Sequence, residues 1–354
     1  MNTALTYDDI QLVPAFSEVK SRKEISLTTK ITKRFLLQMP LVASPMDTVC
    51  EYEMAWSLMK AGGVGCIHRF MRIDEQVAMV KKLETHLAGD ANILAQWKSI
   101  QQNKSLTDHF VPIMAAVGAT GDLLDRATQL IAAGANIILI DVAHGHHANV
   151  RDAIAIIKKI SPHIDIIAGN VATAEAAIDL CAWGADALRV GVGGGSLCTT
   201  RIKTGFGVPN VSCLQEIVAV TKVPVIADGG IRSSGDIAKA LAIGASTVMI
   251  GSLIAGTEEA PGSIIDKGGA LYKRYRGAAS LETKVAHGQE ARNVEGESTV
   301  IPYKGGVKYI VSDLLDGVRS ALSYGGADSL EKFRPKIIQV TNSGLNEARP
   351  HLLK

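Results

Sequence analysis

The 354-residue sequence has little net charge, little cysteine and no long apolar run, and each shortage removes a class of function. With 37 basic and 35 acidic residues the formal charge is +2, too weak a field to gather nucleic acid or a membrane surface, and neither is an expected partner. No apolar run approaches the roughly 20 residues needed to span a bilayer. The opening MNTALTYDDIQLVP lacks the cationic start and apolar core of a secretory signal. Five cysteines (Cys50, Cys66, Cys181, Cys198 and Cys213) are odd in number, scattered and free of any C-x-x-C pair. A disulfide framework or zinc site is therefore not expected, and a reducing cytoplasm is the expected location.

What the chain does have is short apolar runs ending in small, polar or charged residues. There are eight: PLVASPMD (40–47), VGCIHR (64–69), VPIMAAVGA (111–119), NIILIDVAHG (136–145), IDIIAGNVA (164–172), ADALRVGVG (185–193), VPVIADGG (223–230) and TVMIGS (247–252). Their continuous apolarity predicts strands covered on both faces, as in a parallel sheet. Helical patterns such as TGDLLDRATQLIAAG and SSGDIAKALAIGA lie between them, the first opening on a threonine N-cap candidate. Four helices end alike, in KAGGVG, AAGANI, AWGADA and AIGAST, with glycine where a left-handed C-cap is needed before the next strand. A helix–Gly–strand unit repeated around a closed sheet is a (β/α)8 TIM barrel, and the length suits one barrel of roughly 250 residues plus extensions. A doubly wound open sheet is the competing architecture, but it gives no reason to stop at eight units.

The expected organisation is a single domain over 1–354 without an inserted second domain. Residues 84–110 read as a polar, helix-capable excursion too short to be a domain. Residues 265–310 are rich in Gly, Lys, Arg and Glu with weak periodicity and read as a mobile flap over the barrel mouth. The remainder, 311–354, begins by returning to helix and ends in a tail.

Polar and reactive residues gather after the strands, where barrel active sites are built. The seventh and eighth runs both end in glycine, at Gly229, Gly230 and Gly251 followed by Ser252, and such N–H groups hold phosphate. Asp228 is acceptor-only and suits a ribose diol, and Ser196 adds a hydroxyl. The ligand read from these residues is phosphorylated and contains ribose. GVGGGSLCTTR (191–201) then adds a thiol that phosphate binding does not require. Thiolate is the reactive form, and the loop's N–H groups with Arg201 should favour it. A lone cysteine is usually a small core hydrophobe, which fits Cys66 and Cys181 but not the polar, glycine-flanked Cys198. Thr199 and Thr200 either relay protons or cap the next turn. In DVAHGHH, Asp141, His144 and His146 are close enough to suggest a metal, yet one short loop seldom supplies a full site. A polar wall for a dinucleotide is the better reading.

Together, TYDDIQLVP, ASPMDTV, GGVGCIHR, IAGNVATAE, GVGGGSLCTTR, ADGGIR and YRGAAS resemble the IMP dehydrogenase/GMP reductase family over nearly the whole chain. The resemblance implies a (β/α)8 barrel, a covalent thioimidate at purine C2, a nicotinamide dinucleotide and a homotetramer. Matched by motif, it makes Cys198 the nucleophile and gives the nucleotide's ribose and phosphate to Ser196, Asp228, Gly229, Gly230, Gly251, Ser252 and Tyr275. Further substrate contacts are implied for Ser44, Met46, Gly277, Ala278, Ala279, Arg292 and Gly296. On the cofactor side stand Arg69, Asp141, Val142, Ala143, Asn170, Val192, Gly193 and again Arg292. Ser21 and Arg22 of KSR, and Ser320 and Ser323 of VRSALSY, match segments that meet the dinucleotide, the latter from a neighbouring subunit. The carbonyls of Gly193, Gly195 and Cys198, with Arg201, resemble a monovalent-cation site for potassium.

The family's two activities share the thiol adduct. The dehydrogenase passes hydride from IMP to NAD and hydrolyses the adduct with water activated by an Arg-Tyr pair on the flap. The reductase expels ammonia from GMP, takes hydride from NADPH and releases IMP. The flap stretch 282–306, ETKVAHGQEARNVEGESTVIPYKGG, has no Arg-Tyr dipeptide, and its Arg292 and Glu295 match the reductase spacing. Thr200 with Glu295 is then the expected proton-transfer pair. ASPMDTV and the terminal SGLNEARPH are closer to the dehydrogenase, while Gly194 in place of proline and Ala278 in place of methionine depart from the usual pattern. The reading is a reductase with NADPH, with the NAD-dependent dehydrogenase as the alternative. A flavin-dependent barrel oxidoreductase and a non-catalytic nucleotide-binding barrel are the more distant alternatives.

Overall fold

The computed structural model describes residues 3–101, 110–286 and 294–347. Eight short parallel strands close on themselves: β1 Leu41–Ala43, β2 Val64–Ile67, β3 Met114–Val117, β4 Ile137–Asp141, β5 Asp165–Val171, β6 Ala187–Val190, β7 Val225–Asp228 and β8 Thr247–Ile250. Each lies inside one of the eight apolar runs. The closing pair is β8 with β1, Val248 opposite Leu41 and Ile250 opposite Ala43, so no sheet edge remains and the open-sheet alternative falls. Every residue of β1, β2, β3, β6 and β8 is buried, because side chains fill the barrel on one face and helices cover the other.

The four glycines at the helix ends, Gly62, Gly134, Gly184 and Gly244, all take left-handed backbone with φ between 90° and 120°. The helix Ser234–Ile243 is capped as its sequence suggests, Ser233 Oγ accepting from the Asp236 N–H at 3.2 Å. The threonine cap expected before Leu123–Ala132 is not used. Asp122 holds that position and makes no side-chain cap bond, because Arg126 takes its carboxylate at 2.6 and 2.9 Å.

Residues 25–37 close the end of the barrel where the strands begin, with Ile25, Leu27, Ile31, Phe35 and Leu37 buried. There Asp165, at the start of β5, accepts from Thr32 Oγ1 at 2.5 Å and Arg34 Nε at 2.7 Å. Burial raises its pKa above the usual carboxylate value even though both partners oppose the shift.

Two segments differ from expectation. The excursion packs more than its polarity suggests: its short helix Ala91–Lys98 is capped by Asp90 and sinks Trp97, whose Nε1 donates to the Met59 carbonyl at 3.1 Å. The described part of the flap region holds an antiparallel sheet of β9 Ile265–Lys267, β10 Ala270–Arg276 and β11 Ser298–Pro302, and the helix Val307–Tyr324 begins within the predicted flap. A buried lysine hid the strand pattern of β10. Lys273 is 3% exposed because its ammonium donates to the carbonyls of Thr257 (3.1 Å), Glu258 (3.3 Å) and Ala260.

Candidate active site

A cavity of about 510 Å³ opens where the strands end, and most of the residues singled out in the sequence line it. Ser44 and Met46 follow β1, Arg69 follows β2, Asp141 to Ala143 end β4, and Asn170 lies near the end of β5. The stretch Gly191 to Cys198 and Thr200 come from the loop after β6, Asp228 to Gly230 from β7, and Gly251 and Ser252 from β8. Tyr275, Gly277 to Ala279, Glu295 and Gly296 complete it from the flap.

At its rim the thiol is connected to a carboxylate. Cys198 Sγ donates to Thr200 Oγ1 at 3.1 Å, and Thr200 Oγ1 donates to Glu295 Oε2 at 2.7 Å. Backbone bonds fix this geometry: Thr199 N to Glu295 O at 3.0 Å, Glu297 N to Leu197 O at 3.0 Å, and Glu295 N to Ala279 O at 3.1 Å. Gly296 sits where these segments meet; a β-carbon there would lie 3.0 Å from Ser280 N. Below, Arg276 anchors β10 to the loop after β1 through Asp47 Oδ2, at 2.9 Å from Nε and 2.5 Å from Nη2. Tyr275 Oη meets Ser196 Oγ at 2.9 Å, and burial raises its pKa, keeping the phenol neutral.

The opposite wall is organised by Arg189, which sequence reasoning missed. Its Nη1 donates to Asp141 Oδ1 at 2.6 Å and its Nε to Asp228 Oδ2 at 2.9 Å. Burial opposes its charge, but Asp228 and Asp141 outweigh that cost and raise its pKa. Asn170 Nδ2 adds bonds to Asp228 Oδ2 at 2.8 Å and Gly191 O at 2.7 Å. The available signal was ALRV, a charged residue inside an apolar strand. Arg69 Nε lies 3.5 Å from Asp141 Oδ2 and is buried without a hydrogen bond.

Other expected residues lie elsewhere. Arg201 is outside the cavity lining; its Nη2 donates to Val208 O at 2.9 Å and its side chain fills the space beside Gly193 and Gly207. The Gly195 carbonyl accepts the Cys198 N–H at 3.2 Å. With a guanidinium so close, we assign no step to a cation. Ser21, Arg22, Ser320 and Ser323 belong to a separate region of the surface, where the Arg22 guanidinium lies 5.7 Å from the Tyr324 ring. In DVAHGHH, His146 pairs with Asp179 at 2.9 Å while Asp141 turns to Arg189. Arg292 and the ARPH end of the terminal SGLNEARPH lie outside the described residues. Gly194, where the resemblance has proline, faces Asn210 so closely that a β-carbon would lie 2.7 Å from Asn210 Oδ1.

A closed barrel whose mouth carries a thiol hydrogen-bonded through a hydroxyl to a carboxylate is the framework of an enzyme. The comparisons narrow it: the chain belongs to the IMP dehydrogenase / GMP reductase family, an oxidoreductase family of purine nucleotide metabolism, whose model matches residues 4–351. It is 40% identical to inosine-5'-monophosphate dehydrogenase of Cryptosporidium parvum over 98% of this chain and 94% of that one. It is 33% identical to the enzyme of the same name from Nitrosopumilus maritimus over 98% of both. Among solved structures, a cysteine-to-alanine variant of GMP reductase from Trypanosoma brucei in complex with guanosine 5'-monophosphate matches with a TM-score of 0.89 and 31% identity, covering 99% of this chain and 98% of that one. Among the described residues, no helix is long and apolar enough to cross a membrane.

Proposed function

We propose that the protein is a GMP reductase, converting GMP to IMP and ammonia with NADPH. The observation that carries the reading is the Cys198–Thr200–Glu295 chain of hydrogen bonds. In the proposed reaction the Cys198 sulfur bonds to purine C2, and its proton passes through Thr200 to Glu295. The C2–amine bond then breaks as the same relay returns a proton to the leaving nitrogen. The sulfur is finally displaced from C2 as IMP forms. Ser196, Tyr275, Gly251 and Ser252 hold ribose and phosphate in this reading, with Asp228 Oδ2 tied to Arg189 and Asn170 and Oδ1 left for the diol.

The buried Nε of Arg69, ion-paired with Asp141 but without a hydrogen bond, and the strand ends carrying Val142, Ala143 and Asn170 fit the polar groups of a dinucleotide. NADPH bound there would supply the hydride that takes the amine's place at C2. Ser21, Arg22, Ser320 and Ser323 would reach it only as a neighbouring subunit's contribution to a homotetramer.

IMP dehydrogenase is the second reading, favoured by the names of the sequence relatives. Against it stands the missing Arg-Tyr pair between residues 282 and 306. The Arg274–Tyr275 dipeptide lies in β10 with its phenol on Ser196. Absorbance at the nicotinamide band decides between them. Oxidation of NADPH with GMP is expected; reduction of NAD with IMP, and no reaction with GMP, would overturn the assignment.

A further inference from the structure

Asn210 opens the helix Asn210–Val220 behind the thiol loop, and no motif assigned it a role. It is 6% exposed, and its Nδ2 donates to the carbonyls of Gly229 and, at 3.3 Å, Asp228, where β7 ends. On its other side the thiol loop passes so near that a β-carbon at residue 194 would lie 2.7 Å from Oδ1 and 2.8 Å from Nδ2. A β-carbon at residue 230 would lie 3.1 Å from Nδ2. The two loops also touch directly, since a β-carbon at residue 229 would meet the Gly194 carbonyl carbon at 2.9 Å. The Oδ1 acceptor is buried with no hydrogen-bond partner. An apolar side chain would fill this space but leave the Gly229 and Asp228 carbonyls without that donor, so the amide does more than pack: it holds the end of β7.

We propose that Asn210 is a positioning residue: it sets the register of the Cys198 loop against the Asp228–Gly230 turn, so that a nucleotide gripped at one meets the sulfur at the other. The proposal rests on the nucleotide reading of the cavity. A thiol and a ring carbon must approach within about 3–3.5 Å, and a shift of about 1 Å between the loops costs rate without removing the groups that bind.

The test uses Asn210→Asp, which keeps size but sets a carboxylate against two carbonyls, and Gly194→Ala, which presses on the same amide from the thiol side. Labelling of Cys198 by iodoacetamide, followed by peptide mass mapping, first establishes in the wild type that GMP protects the thiol. Failure of GMP and IMP alike to protect overturns the nucleotide reading and this inference with it. With protection present, the folded fraction of both variants is expected to bind nucleotide with nearly unchanged affinity, even where the strain lowers the thermal midpoint. Their turnover with whichever nucleotide the wild type accepts should fall about ten- to hundredfold. The double variant Asn210→Ala/Gly194→Ala should be no slower than Asn210→Ala alone, since the clash disappears with the amide. Normal turnover in both single variants, losses that follow the folded fraction, or costs that simply add in the double variant would each overturn the proposal while leaving the nucleotide reading intact. Should Asn210→Asp not fold, Gly194→Ala carries the same comparison.

Discussion

Glu295 Oε2 accepts a hydrogen bond at 2.7 Å from the hydroxyl of Thr200, a residue 95 positions earlier in the chain. The flap thereby places a carboxylate two hydrogen bonds from the thiol. Thr200→Val removes the link and preserves shape. We expect single-turnover rates to fall about 10²- to 10⁴-fold, the usual range for positioned acid–base groups, with the GMP dissociation constant nearly unchanged. Glu295→Gln should slow ammonia release in the same way. A rate unchanged in both variants would remove the relay from the mechanism.

In the proposed reading ribose and phosphate are held by Ser196, Tyr275 and the residues that end β7 and β8, none of which needs the Cys198 sulfur. Cys198→Ala should therefore abolish turnover while leaving nucleotide binding largely intact. Mass spectrometry of the wild type quenched during turnover should find the nucleotide attached to the Cys198 peptide. A turnover-competent Ala variant would refute covalent catalysis.

Arg189 is the buried counterion of Asp141 and Asp228. Arg189→Met leaves two carboxylates at the barrel mouth without their cation, a change that typically costs about 3–5 kcal/mol. Urea unfolding should show that loss. Arg189→Lys should recover only part of it, because a point charge does not reproduce the planar fork that reaches both acids. A stable Met variant would mean that the acids find other partners or become protonated.

The barrel was legible because its strands are uninterrupted apolar runs and its helices end on glycines forced to positive φ. The cavity was legible because strand-end residues must converge once eight strands close. Arg189, Asn210 and Lys273 were not, for one shared reason. Each is a polar side chain whose partners lie far away in sequence, Asp141 and Asp228 for Arg189 and backbone carbonyls for the other two. Local patterning has no access to such pairs. The sheet in the described part of the flap escaped notice because Lys273 broke the alternation of β10, and the surface position of Ser21 and Ser320 depends on tertiary packing that motif matching ignores.

The closed end of the barrel gives a pH prediction. Burial raises the pKa of Asp165 above 3.8 in the folded state, with Thr32 and Arg34 only partly offsetting it. Between the unfolded and folded values the native protein holds the proton that the unfolded chain has released. Stability from this group is therefore present below the unfolded value and is lost as pH rises through the folded one. Asp165→Asn removes that titration and keeps a carbonyl for Thr32 or Arg34. The difference in unfolding free energy, wild type minus variant, should decline as pH rises above about 4. A difference that grows over this range would mean that Arg34 dominates and that the carboxylate is ionised in the fold at lower pH than burial dictates.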